Sequence, residues 1–140
     1  MTMTEKTMKA IIGIAALLAG LGAGTAQATE WVTCATPAGE ASFDYLVGTL
    51  DVLAVVGLNV SVGEQVWASD VAYGPGDPIV VGKAFEDDET VMIDAMDEGM
   101  STTIAQLRLF KAEEGDAPIV YSGTLRIPGH GAWTISCAGF

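Results

Sequence analysis

The sequence predicts a mainly β protein, a small antiparallel meander closed as a sandwich or a barrel, and three observations carry that expectation. Clusters of Gly, Pro and acidic residues return about every eight to twelve residues between Thr36 and Gly131, the spacing of turns in such folds. Short runs between them alternate apolar and polar residues, as in Thr103–Leu109, where Ala105, Leu107 and Leu109 alternate with Gln106 and Arg108. Finally, the only two cysteines sit in near-mirror runs at opposite ends, Cys34 in WVTCA (31–35) and Cys137 in AWTISCA (132–138).

Reading those cysteines as a disulfide requires an oxidising compartment, and the N-terminus supplies the reason to expect one. Lys6 and Lys9 precede a 12-residue apolar run, Ala10 to Leu21, and the stretch after it ends in Ala26-Gln27-Ala28. A positive leader, an apolar core and a small-x-small end are the parts of a signal peptide cut after Ala28. The run is too short for a membrane anchor, which needs roughly 20 apolar residues. The leader is of bacterial type, so the expectation is a periplasmic or secreted protein, free of the membrane once residues 1–28 are removed. Removing 28 residues from 140 leaves 112, residues 29–140, enough for one domain. Closing a loop of about 100 residues stabilises a fold by roughly 4 to 5 kcal/mol in the chain-entropy model.

Along the mature chain, Glu30 to Ala35 reads as the first strand, ended by Thr36-Pro37-Ala38-Gly39. The run from Phe43 to Gly57 is ambiguous. Apolar residues at 43, 46, 47, 50, 53 and 54 fit a helical stripe with Ser42 as its N-cap, a possible single helix within 42–56. Val52, Ala54, Val56, Leu58, Val60 and Val62 instead alternate as a strand, and the density of valine favours strand from about Val52 onward. Gly63-Glu64 suits a two-residue hairpin with glycine first, between Val60–Val62 and Gln65–Ser69. Asp70 to Pro78 is a loop by composition, leading into a strand at Ile79–Val81 that Gly82 continues or bends. Glu89–Asp97 and Thr102–Lys111 form a hairpin in which Gly99 is the natural residue for a positive φ. Glu113 to Asp116 and Pro128 to Gly131 make the last two turns, the second leading into the closing strand.

Charge narrows the function classes. The chain has 18 acidic and 6 basic residues; Glu5, Lys6 and Lys9 leave with the leader, so 17 acids face four bases, Lys83, Arg108, Lys111 and Arg126, for a net charge of −13. Such a balance argues against nucleic acid or anionic lipid and permits a basic protein or a cation as partner.

No catalytic constellation and no cofactor signature is visible. His130 is the single histidine and lies between two turn glycines, no Gly-x-Ser-x-Gly is present, and both cysteines are consumed by the expected disulfide. The densest acidic stretch, Glu86-Asp87-Asp88-Glu89, offers oxygens to a hard cation, although no Asp-x-Asp-x-Asp-Gly loop surrounds it. Met92, Met96 and Met100 recur every four residues, but on a strand the third lies beyond the turn. A C-terminal aromatic, Phe140, is a feature of outer-membrane barrels, whose strands are longer and apolar outward. Among the aromatics near loops, Trp67 and Tyr73 are the candidates for partner binding, while Trp31 and Trp133 are expected against the disulfide. The sequence therefore points to an exported, non-enzymatic binding or structural module. An inhibitor of a basic secreted enzyme and a small carboxylate-dependent hydrolase are the alternatives.

Overall fold

A computed structural model describes residues 29–50 and 52–138 of the chain; the expected signal peptide and the terminal Phe140 lie outside the described residues. Among the described residues nine strands follow one another: β1 (Glu30–Ala35), β2 (Ala41–Val47), β3 (Val55–Val62), β4 (Gln65–Ala68), β5 (Asp77–Glu86), β6 (Thr90–Asp97), β7 (Thr103–Ala112), β8 (Val120–Ile127) and β9 (Gly131–Ala138). Each pairs with the next and β9 returns to β1, so the sheet closes as a barrel rather than a sandwich. Closure pairs both end strands, β1 with β9, and leaves unpaired the outer edge of β5 beyond Pro78.

The period of two dictates what fills the barrel. Val32 and Cys34 on β1, Leu58 and Val60 on β3, Val91 and Ile93 on β6, and Leu107 and Leu109 on β7 are buried inward, with Thr33, Asn59, Met92 and Arg108 between them facing out. The interior is thus a packed apolar core.

The two cysteines lie directly opposite each other in the β1–β9 register, Cys34 against Cys137, and are bonded. Among the described residues three pairs join these strands, so the covalent link sits in the middle of a short antiparallel seam. A second short seam is the two-pair contact of β4 with β5, which is parallel, in a barrel otherwise antiparallel throughout. A short 3-10 turn, Val71–Tyr73, makes that crossover possible; Asp70 caps it by accepting from the Ala72 N–H at 2.8 Å.

Several local expectations are corrected. Among the described residues of 42–56 there is no helix: 41–47 are β2, the described residues of 48–54 join it to β3, and β3 starts at Val55. Ser42, instead of capping a helix, pairs its hydroxyl with that of Ser61 across the β2–β3 ladder at 2.7 Å. A bulge opposite Leu46 and Val47 shifts the register, so Val56 turns outward and is half exposed while Val55 packs against the core. The continuous alternation expected from Val52 breaks there. In the β6–β7 hairpin Met100, not Gly99, takes the positive φ of 56°. Asp97 fixes that turn by accepting from the N–H groups of Ser101 and Thr102 and from the Ser101 hydroxyl, at 2.7, 2.8 and 2.8 Å. The Gly63-Glu64 hairpin forms as expected, with φ of 57° at the glycine.

Candidate functional site at one end of the barrel

At one end the barrel receives the connections 48–54, 87–89 and 113–119, together with the start of β1 and the end of β9. Strand register places four polar side chains inward at this end. Tyr45 stands opposite Val32, Glu86 opposite Val91, and Tyr121 opposite both Lys111 and Cys137. Tyrosine suits such a position because its ring joins the core while its hydroxyl reaches the opening. Burial, and after it the charges of Tyr121 and Glu86, holds the Tyr45 phenol well above its ordinary pKa. Burial, followed by Glu86 and Glu113, raises Tyr121 in the same way. Both phenols are neutral hydrogen-bonding groups at physiological pH. The Lys111 ammonium lies 3.6 Å from the Glu86 carboxylate, an ion pair across the opening.

Above these groups the connection 48–54 forms a lip. Leu53 packs down on the core, whereas Leu50 and Val52 are 67% and 72% exposed. The lip, Tyr45, Tyr121 and Glu86 together line a cavity of about 200 Å³. At about 30 Å³ per water in the liquid, that is the volume of roughly seven waters, enough for one amino-acid side chain and too little for a large cofactor. Ile119 and Val120, 38% and 62% exposed, extend the apolar surface along β8. Around it stand the carboxylates of Glu86 at the end of β5, of Asp87, Asp88 and Glu89 on the connection that follows, and of Glu113, Glu114 and Asp116 on another.

The candidate cation ligands are put to separate uses. Asp87 accepts from the N–H groups of Glu89 and Thr90 and from the Thr90 hydroxyl, at 2.9, 2.7 and 2.9 Å, and these bonds, that of Glu89 first, lower its pKa. Glu86 pairs with Lys111, and Asp88 and Glu89 are exposed. Among the described residues no three His, Cys, Asp or Glu side chains gather as a metal site would require.

The two aromatic candidates are placed differently from the expectation of exposed binding residues. Trp67 is 8% exposed and belongs to the core, its ring edge-on to that of His130 at 5.5 Å at the opposite end of the barrel. Tyr73, in the 3-10 turn, lies over the outer wall, edge-on to Trp31 at 5.3 Å and over Gly57, where a Cβ would come within 2.8 Å of its ring. Trp31 consequently points away from the disulfide. Trp133 shares a strand face with Cys137 but lies four residues along, roughly 13 Å away, so neither tryptophan packs on the cystine.

Possible acid–base groups do not converge either. Asp94 faces outward and pairs with Arg108 at 2.7 Å, Asp97 closes the hairpin at the far end, Asp87 closes one at the near end, and His130 lies in the far turn. On the outer wall Asp44 stands between Thr33 and Asn59 with a buried Oδ1 that makes no hydrogen bond; burial raises its pKa, partly opposed by the Cys34 N–H. No family model, curated protein or solved structure matches this chain.

Sequence reasoning missed Tyr45, Lys111, Tyr121, Leu50 and Val52. The available signal was periodicity: Tyr45 continues the inward row of Phe43, and Lys111 that of Leu107 and Leu109, so each is a polar-tipped residue where a strand leaves the core.

Proposed function

We propose that this chain is a non-enzymatic binding module that docks a basic protein on the acidic, apolar-lipped end of its barrel. The observation that supports this reading is convergence. An exposed pair, Leu50 and Val52, a side-chain-sized cavity and seven carboxylates on or beside two loops share one end of the molecule. Apolar contact at the centre and charge at the rim is the usual division of labour in protein recognition. The carboxylates steer a cationic partner and make its association salt-sensitive, while the lip and cavity hold one of its side chains. An inhibitor of a basic secreted enzyme is a specific case of the same reading. A hydrolase needs a base and an acid at one cleft, and the separate positions of His130, Asp87, Asp94 and Asp97 do not favour one.

The experiment is a titration of isotope-labelled protein with a lysine-rich peptide, followed by amide chemical shifts. Shifts should concentrate in residues 48–54, 86–90 and 111–121 and shrink with added salt. Shifts centred on the far end, around 63–64 and 98–102, would overturn the reading. So would unchanged affinity in the Leu50→Ser/Val52→Ser variant.

A further inference from the structure

The basic residues are as unevenly placed as the acidic ones. Of the four beyond the leader, Lys83, Arg108 and Arg126 all lie on the outer wall formed by β5 to β8. Register aligns Lys83, Asp94, Gln106 and Arg126 in one row across the strands, and Phe85, Met92, Arg108 and Thr124 in the next. Thr90, Phe110 and Ser122 make a third row. Asp94 neutralises Arg108, and Arg126 is steadied by donating to Gln106 Oε1 at 3.1 Å. The wall thus carries three bases and one acid in a chain of net charge −13. Phe85 and Phe110 stand on it 48% and 70% exposed, which no packing need explains.

We propose that this wall binds an acidic polysaccharide, a chain of sugars bearing carboxylates. Three features select that class. Local charge governs contact because screening limits fields to about 8 Å at physiological salt, so Lys83 and Arg126 attract carboxylates despite the charge of the whole. Exposed aromatic rings offer apolar plates to the C–H faces of sugar rings, and Thr124, Ser122 and Gln106 beside them offer hydrogen bonds to hydroxyls. Size argues against a folded protein as the partner. Four strands and three rows span roughly 14 by 13 Å, under 200 Å², against roughly 800 Å² per partner in a stable protein interface. This inference is independent of the acidic-end reading, since it uses none of that end's lip or carboxylates.

The test is gel retardation by polygalacturonate, with the fully methyl-esterified polymer as the uncharged comparison. The wild-type protein should be retarded by the first polymer and not by the second, and the effect should fade at about 0.5 M salt. Phe110→Ala should bind about tenfold more weakly, the cost expected of an exposed aromatic anchor, and Lys83→Glu/Arg126→Glu should not bind. All three side chains are exposed, and a far-ultraviolet circular dichroism melt checks that the variants stay folded. No retardation of the wild type, equal retardation by the esterified polymer, or wild-type binding by Phe110→Ala would overturn the proposal. Sedimentation showing that the double charge variant abolishes self-association would also overturn it, assigning the wall to a second copy of the chain.

Discussion

Single positions decide how the outer surface is built. Gly57 faces outward beneath the ring of Tyr73, and a methyl group there would lie 2.8 Å from the Tyr73 Cε2 and 3.2 Å from the Leu46 Cβ. Gly57→Ala should therefore lift the 3-10 turn off the wall, expose Trp31 and Leu46, and destabilise the fold by about 1 to 3 kcal/mol, the usual cost of overpacking. The shift of the urea unfolding midpoint measures this, and an unchanged midpoint would mean that Tyr73 is free to move aside. Tyr73 is thus a packing residue, and its position beside a loop in the sequence was a poor guide because the loop folds back onto β3.

At the scale of elements, the hairpin joining β6 to β7 depends on one carboxylate. The Thr102 N–H, the Ser101 hydroxyl and the Ser101 N–H, in that order, lower the pKa of Asp97 from its ordinary 3.8. A lowered native value means that the turn is held most strongly above the ordinary carboxylate range, and that this contribution disappears as pH falls through the lowered value. Asp97→Ala should accordingly melt at a lower temperature than wild type near neutral pH, with the gap closing in strong acid. A constant gap across that range would assign the loss to packing instead of to the ionised carboxylate.

The sequence made β1, β7 and β9 readable because each has one buried and one solvated face, which leaves a clean alternation. β2 was not readable for the opposite reason. Phe43 and Tyr45 are buried inside the barrel while Leu46 is covered on the outside, so apolar residues on both faces mimic a helical stripe. Of the candidate site, the acidic loops were evident from composition. Its lip was not, because the 48–54 connection meets Glu86 and Tyr121 only once the barrel has closed.

The whole molecule is a ring of strands with two narrow joints, three residue pairs at β1–β9 and two at β4–β5. Cys34 and Cys137, 103 residues apart, secure the first. The Cys34→Ala/Cys137→Ala variant should lose up to about 5 kcal/mol in denaturant titration, since the unfolded chain regains the freedom of a loop that long. A loss below about 1 kcal/mol would mean that strand pairing alone closes the barrel.

That joint also decides where the described chain enters and leaves. Glu30 pairs with Val47 and Ala138 with Thr33, so both ends emerge beside the cavity and its acidic rim. A fusion partner or surface tether attached at either end would crowd the proposed docking surface, whereas one inserted between Gly63 and Glu64, at the far pole, would leave it open.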